Sequence, residues 1–283
     1  MDVKILEPRG YCAGVSNAIR IALKAKQEHP NQDVYVLGML VHNDQVVKNL
    51  LKEGVNTAYK IEDIPTGSII VFTAHGHDKK LDEIAKNRGL IIYDAVCPKV
   101  QSNINLMEKE IAEGHQIIYI GLSNHPETIG AISISSDVIL YDVKQGVDFS
   151  LVKDESPLVI NQTTLNILEL EDIQKDISTH FPKARITNEI CSSTRRRQQA
   201  ITELKEDEVD LIIVVGDKKS SNSTRLFEVA KQSHPNITSV MISSLSDLNK
   251  DVLLNKKHIV ISSGASVPDE TIDAIFTFLK SFK

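Results

Sequence analysis

A strand, a cysteine and a helix follow one another three times in this chain, and that arrangement limits what it can fold into. VKIL leads to GYCAGV and an amphipathic VSNAIRIALKAKQE; LIIY leads to DAVCP and KVQSNINLMEKEIAEG; ARITN leads to EIC and an Arg- and Gln-rich helix. The cysteines are Cys12, Cys97 and Cys191, at separations of 85 (12 to 97) and 94 (97 to 191), and the chain has no others. Separations of that size are domain-scale, so the pattern predicts a structural repeat. A thiol at a strand-to-helix corner also lies near free backbone N–H groups, which favour the thiolate.

The repeat continues past each cysteine. After each Cys-led helix comes an apolar strand (DVYVLGMLV, HQIIYIGL, DLIIVVG) that ends in a polar loop containing His42, then His125 and Glu127, then Ser220–Asn222. A helix follows, then a second apolar strand (SIIVFTAHGH, PLVINQTTL, HIVISSGAS) whose loop holds His75, then Gln162–Thr164, then Ser266. The third unit lacks a final strand and VKIL is spare. The expected architecture is therefore α/β, with mostly parallel sheets in three similar units: 13–96, 97–190, and 191–283 completed by 1–12. Three equal units closing into a pseudo-threefold ring would bring the cysteine corners to one axis. Ligands of such sheets sit beyond the carboxyl ends of strands, where all six polar loops fall.

Three distant cysteines do not make a disulfide framework, and none forms the close pair usual in structural zinc sites. Three thiolates without a fourth suit a central 4Fe–4S cluster with one open iron; three separate buried cysteines are the plainer alternative. SSN at Ser220–Asn222 precedes a helix, so hydroxyls, an amide and free N–H groups can face an anion, with His42, His75 and His125 as further donors. Glu127 is a candidate proton donor, though the helix dipole alone would also favour an acid in that first turn.

The formal net charge of −6 and an aromatic content of 5% with no Trp argue against nucleic-acid binding. No apolar run approaches a membrane span, and Met1 leads straight into a charged strand without a signal peptide, so a cytoplasmic location is expected. The run Arg195–Arg197 reads as a solvated helix face.

Taken in order, GYCAGV, LVHN, AHG, DAVCP, HPE, NQTT, EIC, SSNSTRL and GASVPDE resemble the motifs of the LytB-type 4-hydroxy-3-methylbut-2-enyl diphosphate reductases over essentially the whole chain. The resemblance implies a reductive dehydroxylation of a small allylic diphosphate, using two electrons and two protons. It implies Cys12, Cys97 and Cys191 as cluster ligands, and His42, His75, His125, Ser220, Ser221, Asn222 and Ser266 as the diphosphate pocket. It implies Glu127 as proton donor, Thr163 as the residue placing the substrate hydroxyl, and a ferredoxin or flavodoxin as electron donor. GML before His42, and His77 and Asp78 after AHG, depart from the family pattern without touching these residues. A hydro-lyase using the open iron only as a Lewis acid, and an iron–sulfur sensor, are the rival classes.

Overall fold

The computed structural model describes residues 1–282. In chain order it begins with β1 (Asp2–Ile5), α1 (Ala13–Glu28), β2 (Val34–Leu37), α2 (Asp44–Lys52), β3 (Val55–Ala58), β4 (Ile69–Phe72), α3 (Lys80–Asn87) and β5 (Ile91–Asp94). The middle third holds α4 (Pro98–Ala112), β6 (Ile117–Gly121), α5 (Pro126–Ile132), β7 (Val138–Asp142), β8 (Leu158–Asn161), α6 (Ile167–His180) and β9 (Arg185–Ile186). The last third holds α7 (Ser192–Thr202), β10 (Leu211–Val215), α8 (Ser221–Ser233), β11 (Thr238–Ile242), β12 (His258–Ser263) and α9 (Asp269–Ser281).

The strands form three four-stranded sheets, β3-β2-β4-β5, β7-β6-β8-β9 and β11-β10-β12-β1, and every pairing within them is parallel. The inner strands IIVF, IIYIG, LVIN and LIIVV are buried at every residue, as expected of parallel strands covered by helices on both faces. The spare N-terminal strand lies where the repeat requires it: Asp2 to Ile5 pair in register with His258 to Ile261.

One feature of each sheet departs from the expected three strands per unit. The edge strands β3, β7 and β11 add a fourth, each between a helix and the second inner strand. They are short, and most of their residues are only half-buried, so they lack the continuous apolar run by which the inner strands announce themselves. They also create a switch point. In each sheet the two inner strands, β2 and β4, β6 and β8, β10 and β12, lie side by side with their connections leaving in opposite directions. That is where an open parallel sheet presents a crevice.

Removal of residues 1–5 is expected to destabilise the third sheet. Val3 is buried against β12 and Ile5 packs on the same core. Burial of two such side chains is worth roughly 3–6 kcal/mol. Chemical denaturation of the truncated chain checks this; an unchanged midpoint would mean that β1 is not integral to the sheet. Among the described residues no helix is long and apolar enough to cross a membrane.

Candidate functional site

The site residues leave the switch points in pairs. His42 and His75 follow β2 and β4; His125 with Glu127, and Thr163, follow β6 and β8; Ser220–Asn222 and Ser266 follow β10 and β12. Each cysteine follows the remaining strand of its sheet, β1, β5 or β9, and is the N-cap of α1, α4 or α7. Backbone hydrogen bonds then fix each cysteine against the polar loop next to it. Cys12 N–H donates to Ala265 O (3.1 Å), Cys97 N–H to Ala74 O (3.0 Å) and Cys191 N–H to Thr163 O (3.0 Å). The repeat therefore holds at the level of single hydrogen bonds.

The three thiols line one cavity of about 590 Å³. Cys12 Sγ accepts from Val15 N (3.4 Å), and Cys191 Sγ from Thr194 N (3.3 Å), as expected of N-caps. Cys97 differs from expectation. Burial pushes its thiol pKa up, and the N–H groups of Lys99 and Val100 offset this only in part. Gly14 is required here by space: a β-carbon on it would lie 2.7 Å from Cys97 Sγ and 3.8 Å from Cys12 Sγ.

Arg197 corrects the reading of the Arg195–Arg197 run as a solvated face. Its side chain is only 2% exposed. Nε donates to Ser263 O (2.9 Å) and Nη2 to Gly10 O (2.7 Å), while Ser193 takes Nη1. The guanidinium thus ties the loop before Cys12 to the helix after Cys191. Burial lowers its pKa, and negative charge on Cys12 and Cys191 acts the other way. A buried cation is costly unless paired and hydrogen-bonded, and here the carbonyls of Ser263 and Gly10 accept from it.

The imidazoles of His42, His75 and His125 converge, with ring nitrogens within 4.8 Å of one another. His42 and His75 stack at 4.4 Å between centroids, and His125 meets both edge-on. Stacked rings direct their in-plane ring nitrogens along parallel lines, so N–H donation from the triad to a multi-oxygen anion suits it better than ligation of one ion. Burial lowers the pKa of all three, that of His125 to about 3 and that of His75 well below its usual value. At neutral pH they are therefore hydrogen-bonding groups, not cations. His125 Nδ1 accepts from Glu127 N (3.2 Å), which leaves the proton on Nε2.

In the third sheet Ser220 caps α8, accepting from Ser223 N (3.3 Å). Ser221 Oγ accepts from Gln162 Nε2 and Thr164 Oγ1, both at 3.2 Å. Asn222 Oδ1 accepts from Thr194 Oγ1 (3.0 Å), whose oxygen lies 3.1 Å from Cys191 Sγ. Ser266 Oγ donates to His42 O (3.4 Å). Asn222 Nδ2 and His75 Nε2 are buried without a protein partner. Each such group costs about 1–3 kcal/mol, and an anion accepting from both would remove that cost.

Glu127 is 4% exposed. Its Oε1 accepts from Thr163 N (2.8 Å) and Tyr119 Oη (3.4 Å), and Thr163 Oγ1 lies 2.9 Å from Oε2. Burial raises its pKa to about 7 against the lowering effect of these donors. A carboxyl poised there can hold and release a proton at neutral pH. Tyr119, Gly14 and Thr194 carry roles that the sequence motifs do not assign them; only Thr194, three residues after an N-capping cysteine, follows a spacing that signals it. His77 and Asp78 have structural partners: His77 stacks on Phe72 at 3.6 Å and meets Asp82 at 3.3 Å, and Asp78 accepts from Lys80 N at 2.9 Å.

The LytB protein family model matches residues 3–280. A 4-hydroxy-3-methylbut-2-enyl diphosphate reductase of Malacoplasma penetrans is 33% identical, over 99% of this chain and 97% of its own. The protein of that name from Brevibacillus brevis is 36% identical, over 100% of this chain and 92% of its own. Among solved structures, the E-1-hydroxy-2-methyl-but-2-enyl-4-diphosphate reductase of Plasmodium falciparum superposes with a TM-score of 0.90 at 30% identity, covering 99% of this chain and 88% of that one. A second, described as the terminal enzyme of the non-mevalonate pathway, gives 0.70 at 28% identity, with both chains fully covered.

Proposed function

The chain belongs to the LytB protein family, and from that premise we propose how its site works as a 4-hydroxy-3-methylbut-2-enyl diphosphate reductase of the non-mevalonate pathway. Two electrons and two protons enter, the allylic hydroxyl leaves as water, and isopentenyl and dimethylallyl diphosphate result. One observation carries the residue assignment. Three cysteines at helix N-caps share a cavity, each bonded through its backbone N–H to a polar loop, and one of those loops holds Thr163 against Glu127.

Cys12, Cys97 and Cys191 are the residues that would hold a 4Fe–4S cluster. The donor set fits: three soft sulfurs on one cavity, close approach permitted by Gly14, and the buried cation of Arg197 beside two of the thiols. When bound, the cluster supplies electrons singly and a Lewis-acidic iron with no protein ligand. The protein does the rest. Ser220, Ser221, Asn222 and Ser266 with the three histidines hold the diphosphate through neutral donors and the α8 N-terminus. Thr163 orients the substrate hydroxyl, and Glu127 delivers the proton that lets it leave as water. The reading takes 13–96, 97–190 and 191–283 with 1–12 as the three units, an electron carrier of ferredoxin or flavodoxin type as donor, and the cytoplasm as the compartment.

Protein made without oxygen is expected to contain about four irons per chain and to turn over only with an added one-electron reductant. Turnover without reductant would make it a lyase, and an active zinc protein without iron would end the cluster assignment. Ser221→Ala and Asn222→Ala should each weaken substrate binding roughly tenfold to a hundredfold, the worth of one hydrogen bond to a charged group. Unchanged affinity in both, measured by titration, would remove the loop from the pocket. Because the acid form of Glu127 is lost as pH rises through about 7, kcat/KM should fall along that limb. A flat profile between pH 6 and 8 would contradict the role.

A further inference from the structure

We propose that Tyr119 is a positioning residue for the reaction: with the Thr163 N–H it occupies Glu127 Oε1 with donors, and so fixes the carboxyl proton on Oε2, beside the Thr163 hydroxyl. The inference rests on the reductase reading above and deepens it at one atom. Tyr119 stands in β6, its phenol 1% exposed, and a hydroxyl buried so deeply needs an acceptor. Glu127 Oε1 is that acceptor at 3.4 Å, and the same oxygen takes the Thr163 N–H at 2.8 Å.

An oxygen facing two donors cannot itself carry a proton without setting hydrogen against hydrogen. Oε2 faces only the Thr163 hydroxyl, which donates when the carboxyl is ionised and accepts when it is protonated. The proton therefore resides on the side of Thr163, the residue whose carbonyl holds the Cys191 N–H. Burial keeps the phenol neutral, and hence a donor, far above neutral pH. Gly121 makes room for the arrangement: a β-carbon there would lie 2.9 Å from Tyr119 Cε1 and 2.4 Å from Thr128 Oγ1. The other charged group acting on the carboxyl is the ammonium of Lys99, which is paired with Glu189; His125 meets only the backbone N–H of Glu127.

Tyr119→Phe removes the hydroxyl and keeps the ring, so the fold should persist, and a thermal unfolding curve confirms that. A donor to a carboxylate stabilises its charged form. Its loss should therefore move the alkaline limb of the kcat profile upward by about 0.5–1 pH unit, with KM changed less than about twofold. Independently of turnover, the carbonyl stretch of protonated Glu127, identified by its absence in Glu127→Gln, should rise when Oε1 loses a hydrogen bond. In a Glu127→Gln background Tyr119→Phe should add nothing. An unmoved limb or an unmoved carbonyl band in the folded variant overturns the proposal. Reductant-dependent turnover by the unaltered protein tests the underlying reaction separately.

Discussion

Serine in place of Cys12, Cys97 or Cys191, one at a time, is expected to bring turnover to background while leaving the fold intact. The two halves of that statement have separate causes. Each cysteine is a helix N-cap, and serine is among the best N-cap residues, so α1, α4 and α7 keep their first turns. A serine hydroxyl, however, is a hard neutral donor and a poor iron ligand where soft thiolates are required. Metal-free forms of the variants and of the unaltered chain should therefore unfold at similar temperatures, while iron and sulfide content after anaerobic preparation drops in all three. A serine variant that keeps full iron content and turnover would remove that cysteine from the ligand set.

Glu127→Gln has the second largest expected effect. A hydroxyl leaves far more readily as water than as hydroxide, so a proton must accompany C–O cleavage. Positioned proton transfer is typically worth about 10²–10⁴-fold, and turnover should fall by at least about a hundredfold with iron content and substrate affinity near normal. The amide preserves the contacts: its oxygen can accept from Thr163 N and Tyr119, and its nitrogen can donate to Thr163 Oγ1. The same change should stabilise the protein above pH 7. The folded-state pKa near 7 lies above the usual 4.5, so the folded chain binds the extra proton and loses stability as pH rises between those values. The penalty reaches about 3 kcal/mol, and glutamine does not incur it. Full activity in the Gln variant would shift the acid role to another group.

What could be read from the residues was what is local along the chain. The strand–cysteine–helix corners involve neighbours in sequence, and the inner strands, buried on both faces, read as unbroken apolar runs. The pairing of VKIL with the last sheet followed from counting strands per unit and is observed in register. Arg197 was illegible because its burial is decided by carbonyls of Ser263 and Gly10, 66 and 187 residues away. Three consecutive arginines carry no sign of that. Tyr119 looks like any core strand residue until α5 folds its first turn over it, and its polar end matters only because Glu127 is there. The edge strands β3, β7 and β11 were missed because half-exposed segments of four or five residues show neither strict alternation nor continuous burial.

The pairing of β1 with β12 also sets an order of events during synthesis. Asp2 emerges from the ribosome about 250 residues ahead of its partner His258, which at 5–20 residues per second is roughly 10–50 s. For that interval the Cys12 N–H has no Ala265 carbonyl to meet, and through the last part of it Arg197 has no Ser263. The first two sheets can close while the chain is still growing, but the third thiol is not in place until translation is nearly over. On the ligand assignment proposed above, loading would follow translation, because a nascent chain stalled before residue 258 carries all three cysteines but has not yet fixed Cys12 against Ala265.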